Sequence, residues 1–199
     1  MSTRIEDYAL IGDCTSAALV AVDGSIDWLC WPRFDSEACF AALLGTREHG
    51  RWLIAPRGKA RTTRHYRPDT LILETCFETD DGAATLVDFM PRQTANSTIV
   101  RLVVGTRGQV KMHSELILRF GYGAVVPWVS RVESGALRAI AGPDMVTLHT
   151  PVHMRGKDLT TIGEFTISRG ESIPFVLTYS PSHLPLPKPI DAATALTDT

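Results

Sequence analysis

Apolar and polar positions alternate along much of the chain. From Thr70 to Thr79, Leu71, Leu73, Thr75 and Phe77 share one face, and Glu74, Cys76 and Glu78 the other. Gln109 to Arg119 repeats the pattern, with Val110, Met112, Leu116 and Leu118 opposed to Lys111, His113, Glu115 and Arg119. Ile173, Phe175, Leu177 and Tyr179 form a third such row. A period of two marks strands with one buried face. Asp23-Gly24, Asp81-Gly82, Arg107-Gly108, Ser134-Gly135 and Arg169-Gly170 separate these and further apolar runs. A glycine in such a pair supplies the positive φ that a tight hairpin turn needs. The pattern predicts an all-β fold, a large antiparallel β-sandwich of more than about ten strands. One short helix is expected within it. Asp35 or Ser36 caps that helix, Cys39, Phe40, Leu43 and Leu44 make its apolar stripe, and Gly45 ends it.

The chain changes character near its end. Ser180 to Pro189 holds four prolines and no strand periodicity, the composition of an extended, semi-rigid connector. Asp191 to Thr199 can begin a helix, but no surface to pack it is apparent. The expected organisation is a β-sandwich domain over residues 1–180 and a proline-rich linker over residues 181–199. A linker needs something on its far side, so the sequence reads as one that stops at a domain boundary.

Composition narrows the function classes. Hydrophobic residues make up 44% of the 199 and the mean hydropathy is +0.03, enough for a real core. Twenty basic and 22 acidic residues leave a net charge of −2. That balance argues against a general nucleic-acid binder, whose affinity rests on excess positive charge. No apolar run approaches the roughly 18–20 residues that cross a bilayer. Met1 to Asp7 carries acids where an export signal has its apolar stretch. A soluble, cytoplasmic protein is expected.

Candidate chemistry is sparse. Cys14, Cys30, Cys39 and Cys76 lie far apart with no C-x-x-C pair, and read as reduced thiols packed as small hydrophobes. His149 and His153 flank Pro151, which forbids the helical turn that would align them as metal ligands. No cofactor or metal is expected. Gly121-Tyr122-Gly123 lacks a following helix and reads as a bulge or tight bend rather than a phosphate loop. Seven Arg and Lys residues between Arg47 and Arg67 suggest a polyanion groove or, more cheaply, cross-strand ion pairs with Glu74, Glu78 and their neighbours. Asp13, Asp23, Asp27, Asp35 and Asp88 all fall near turns, where aspartate bonds to backbone, so no acid/base pair can be chosen by spacing. The richest stretch is Ser25 to Ser36. Its loop carries Trp31, Arg33 and Asp35, an aromatic platform beside a cation and a carboxylate, which suits a sugar's CH face and hydroxyls. A structural reading stays open beside it: Asp35 as a helix cap paired to Arg33, Trp31 filling a corner of the sandwich.

The residues also resemble a known family. Asp7-Tyr8-Ala9-Leu10-Ile11-Gly12-Asp13 and Asp23 to Ser36 are similar to the opening of bacterial glucoamylase/trehalase-like enzymes of glycoside hydrolase family 15. Gly50-Arg51-Trp52, Tyr66 to Leu71, Asp88-Phe89-Met90-Pro91 and Arg119 to Gly123 continue the similarity in order, to about residue 180. The resemblance implies a β-sandwich that precedes an (α/α)6 catalytic barrel. It implies hydrolysis of α-glucosides with inversion, by two glutamates held roughly 6.5–9.5 Å apart. Those glutamates belong to the barrel, so no residue of this chain inherits a catalytic role and the chain alone is expected to be inactive. Its expected partners are the barrel of the same parent chain and, through it, the glucoside; trehalose is preferred. Trp31, Arg33 and Asp35 are the candidate substrate-reaching residues. A docking face deprived of its barrel is expected to be apolar and to favour self-association. The alternative is a free-standing carbohydrate-binding module using Trp31, Trp52 or Trp128.

Overall fold

The computed structural model describes residues 4–92 and 96–199; Met1–Thr3, part of the N-terminal stretch read above for an export signal, lie outside them. Among the described residues fifteen strands, all paired antiparallel, form two facing layers. The first layer runs β1 (Tyr8–Gly12), β2 (Ala17–Ala21), β3 (Ser25–Cys30), β5 (Arg51–Pro56), the second half of β9 (Thr98–Ile117), β14 (Thr160–Ser168) and β13 (Met154–Lys157). The second runs β6 (Arg61–Tyr66), β7 (Leu73–Glu78), β8 (Gly82–Phe89), the first half of β9, β15 (Ser172–Pro181), β12 (Asp144–His149), β11 (Leu137–Ala141) and β10 (Trp128–Arg131). The all-β sandwich is the architecture that the alternation predicts.

Strand β9 joins the layers. Its residues 98–104 pair with β15, and residues 109–116 pair with β14. The change falls at Gly108, whose φ is +52°. The sequence placed a hairpin at Arg107-Gly108; the chain instead stays one 20-residue strand that turns a corner there. Glycine serves both geometries, so the dipeptide alone does not distinguish them. Gly82 departs from expectation in another way. Its φ is not positive, and its need for glycine is space: a Cβ would lie 2.5 Å from the Arg107 carbonyl oxygen.

The inner faces meet in one core. Leu73, Phe77 and Leu86 of the second layer face Ile26, Trp52, Ile54 and Met112 of the first, all buried. Trp52 and Phe175 meet edge to face with centroids 6.5 Å apart, and Phe165 lies 5.5 Å from Phe175. At the centre, Arg101 and Asp88 are fully buried. Arg101 donates to both Asp88 carboxylate oxygens, at 2.8 and 3.1 Å, and to the carbonyls of Trp52 and Gly24, both at 2.6 Å. Its guanidinium also lies 5.1 Å from the Trp52 ring centroid. One side chain thereby ties the second layer to β5 and to the β2–β3 turn of the first.

Two expectations are corrected. The helix predicted from Ser36 to Gly45 does not form. Ala38–Phe40 is a short strand, β4, paired to Leu29 and Cys30, and Ala42–Leu44 is a single 3-10 turn. All three β4 residues are buried, and Leu44 at the end of the supposed stripe is exposed. A helix of that length needs tertiary packing to stand, and here both faces of the Ala38–Phe40 run are already covered as strand. The second correction concerns the tail. Ala192–Asp198 forms the helix α1, with Asp191 accepting from the Thr194 N–H at 2.8 Å as its cap. It does have a surface to pack on. Ala192, with Ile190, Ala195 and Leu196, lies against Val87, Phe89, Val100, Leu102 and Val176 on the outer face of the second layer.

Candidate functional site

Several loops gather at the end of the sandwich where β15 stops at Pro181. The Phe34 N–H donates to the Thr15 carbonyl at 3.0 Å, and Ser97 Oγ to the Pro32 carbonyl at 3.3 Å. The Tyr179 N–H donates to the Ser97 carbonyl at 2.9 Å, and the Ser182 N–H to the Pro143 carbonyl at 2.7 Å. The loop of residues 31–36 is therefore held from both layers. Its base is fixed by Ser16, whose hydroxyl donates to the Cys30 carbonyl, and by Asp13, whose carboxylate accepts from Thr15 and Ser16.

The three candidate residues separate into two roles. Trp31 is 4% exposed and lies 6.2 Å from the Tyr179 ring, so it fills the corner between layers. Its indole N–H finds no acceptor among the described residues. Arg33 and Asp35 stand in the open. The Arg33 Nε donates to Asp35 Oδ1 at 2.9 Å, which holds that carboxyl below the usual carboxylate range. Asp35 caps no helix; the Ser36 hydroxyl accepts from the Arg33 N–H instead. Phe34, 60% exposed, is the aromatic side chain that this loop presents to solvent. Alternation points away from it, because the loop has no period to read.

The rim continues through the loop after β9. The Arg119 N–H donates to the Cys39 carbonyl at 3.2 Å, and the Tyr122 N–H to the Ala38 carbonyl at 3.0 Å. Gly121, Tyr122 and Gly123 all have positive φ, the tight bend that their spacing suggests. Beyond them the two layers part around a cavity of about 430 Å³. Leu116 of the first layer and Val146, Leu148 and Leu177 of the second wall it, while the exposed Val126, Trp128 and Leu159 stand at its mouth. Trp128 is 79% exposed. Of the three tryptophans considered for sugar stacking, Trp31 and Trp52 are buried and Trp128 alone is open.

The remaining candidates are engaged within the domain. Asp23 accepts from the Ser25 N–H, and Asp27 from Tyr8 at 2.7 Å and from Ser25. Asp13, Asp35 and Asp88 are paired as described, so each of the five turn aspartates already holds donors of its own chain. Tyr179 donates to Asp144 at 2.7 Å; burial, then that bond, pushes its phenol up. The basic stretch is spent on ion pairs: Arg67 Nε with Glu74 at 2.6 Å, Arg51 with Glu115 at 2.7 Å and Arg57 with Glu164 at 3.0 Å. Arg64 instead donates to the carbonyls of Val20 and Asp7. The four cysteines are free thiols, with Cys30 and Cys39 buried. Among the described residues no group of three ligating side chains forms a metal site, and no helix is long and apolar enough to cross a membrane.

Comparison with known proteins places this geometry. The sequence profile of the family described as trehalase-like, N-terminal, matches residues 1–158. The chain belongs to that family. A trehalase from Mycolicibacterium smegmatis is 40% identical over 79 residues, 39% of this chain and 12% of that protein. Trehalase 1 of Sulfolobus acidocaldarius is 34% identical over 132 residues, 66% of this chain and 22% of that protein. A trehalase from Thermoplasma volcanium is 34% identical over 91 residues, 44% of this chain and 15% of that protein. The matched stretches thus span about an eighth to a fifth of these relatives. In this chain the matched residues include the loop of residues 31–36, the Gly121–Gly123 bend, Trp128 and every first-layer strand except β14, which begins at Thr160.

Proposed function

We propose that the chain is the non-catalytic N-terminal sandwich of a cytoplasmic, inverting α-glucosidase of glycoside hydrolase family 15, with trehalose as substrate. Residues 1–180 form its sandwich, and residues 181–199, with α1 folded back on the second layer, lead toward the catalytic barrel. The observation that carries this reading is the match itself: the aligned part of each trehalase is a small share of that protein, and it falls on this sandwich. The hydrolytic glutamates then reside in the larger remainder.

The rim loop supplies the contribution of this chain to the site. Trp31, locked in the corner, fixes the loop's base, and Arg33, Phe34 and Asp35 project from it. A guanidinium and a carboxylate held together offer both donors and acceptors to sugar hydroxyls, and a phenyl ring offers a CH-binding face. Because these groups bind hydroxyls rather than the bond being cleaved, their loss acts on substrate binding. The test is kinetic, in a polypeptide carrying this sandwich ahead of the catalytic portion of a trehalase. Arg33→Ala and Asp35→Ala are expected to raise KM for trehalose with kcat little changed. Unchanged KM in both variants removes the loop from the substrate site.

A further inference from the structure

The lip of the cavity carries a leucine that neither folding nor solubility explains. Asp158 and Leu159 are the two turn residues between β13 and β14, with φ of +49° and +58°. A two-residue turn with both φ positive is the geometry that Asn-Gly serves best. Leucine is disfavoured there by its Cβ, and this one is also 72% exposed. Strained backbone that persists on a surface is a mark of functional positions. Trp128, more exposed still, and Val126 line the same cavity.

We propose that this mouth is the seat of the catalytic portion, which presses an apolar side chain between Leu159 and Trp128 into the cavity. The proposal rests on the function proposed above and adds where the two parts meet. Three observations select this occupant. The relatives extend several-fold beyond the stretch shared with this chain, so a large body must lie against the sandwich somewhere. The other apolar sheet surface, around Val87, Val100 and Val176, is covered by α1. The mouth is continuous with the rim loops: Trp128 pairs with Ile140, beside the Gly142 turn whose carbonyl accepts from the Ser182 hydroxyl. A body seated there also faces the loop that carries Arg33 and Asp35. The cavity, about 430 Å³ with mostly apolar walls and Arg119, Arg131 and Lys157 also among its lining, is of a size that accepts a large side chain.

Hydroxyl-radical footprinting compares this chain alone with a longer polypeptide in which it precedes the catalytic portion of a trehalase. Trp128 labelling is expected to fall about eight-fold, from a 79% exposed ring to one buried at an interface core. Val22, exposed at the opposite end beside the Gly24 turn, is expected to label equally in both. Leu159→Asp, which suits the left-handed turn and leaves the fold intact, is expected to restore Trp128 labelling. If Trp128 labels equally in both forms while other residues become protected, the seat is elsewhere and the proposed function stands. If no residue is protected in the longer form, the seat and the scaffold role fall together. If Trp128 protection appears in the isolated chain and grows with its concentration, a second copy is the occupant and the proposal is overturned.

Discussion

The buried Arg101–Asp88 pair is the sharpest test of how the two layers are held. Asp88→Asn keeps the shape of the side chain and removes its charge, leaving a guanidinium that is fully inside the core. Arg101 then retains the Trp52 and Gly24 carbonyls but loses its counter-charge. Breaking a buried pair from one side costs about 3–5 kcal/mol, because the survivor stays desolvated. Against a typical total of about 5–15 kcal/mol that is a large share. For a chain of this length each kcal/mol moves the midpoint by about 2–4 °C, so a fall of about 6–20 °C is expected. Thermal and urea unfolding followed by circular dichroism read it, with the m-value expected to stay constant. Adding Arg101→Met to Asp88→Asn removes both charges, and the double variant is expected to cost less than the sum of the singles by about 2 kcal/mol. A midpoint within about 2 °C of the unmodified chain, or strict additivity, refutes the account of a charge-paired tie between layers.

Further expectations concern the turn, the tail and acid. Leu159→Gly relieves a left-handed leucine without removing a buried contact, and is expected to stabilise the isolated chain by about 1 kcal/mol in urea unfolding; a loss of stability contradicts the strain at this turn. Removing residues 191–199 uncovers Val87, Val100 and Val176, and is expected to increase binding of a fluorescent apolar dye and lower the unfolding midpoint. A chain that keeps both values has no packed tail. Burial lowers the pKa of His113 and of His149 from the ordinary 6.5. Each ring stays neutral in the fold while the unfolded ring takes a proton, so their stabilisation is complete above about pH 6.5 and is lost as the pH falls through the folded values. His113→Gln is expected to flatten that slope; an unchanged slope in urea titrations between about pH 6.5 and 5 removes His113 from it.

Much of the fold is written in local alternation, and the misreadings have physical causes. Val110, Met112 and Leu116 do face the core, because a half-buried sheet enforces a period of two. Cys39, Phe40, Leu43 and Leu44 have helical spacing, yet β4 is decided by partners at Leu29 and Cys30 that no local pattern reveals. The tail's packing was hidden for the same reason. Its surface is assembled from Val87 on β8, Val100 on β9 and Val176 on β15, the outward positions of strands whose inward positions had already explained their burial. Arg101 sits in an apolar run, and an arginine there reads as an interruption until Asp88 is seen opposite. At the candidate site the sequence located the loop and its charged pair. Trp31 stays open in the sequence between a sugar platform and a corner filler, because an indole beside a turn serves either role, and burial alone separates them. Leu159 gave no signal, since its turn lacks glycine.

The central claim is that this sandwich carries no hydrolytic machinery and serves a catalytic portion beyond it. Its most direct test is glucose release from trehalose, assayed with this chain alone and with the same chain preceding the catalytic portion of a trehalase. The account predicts no release above background from the chain alone and turnover from the longer polypeptide. Glucose released by the purified chain alone, and abolished by altering one of its own carboxylates, contradicts it.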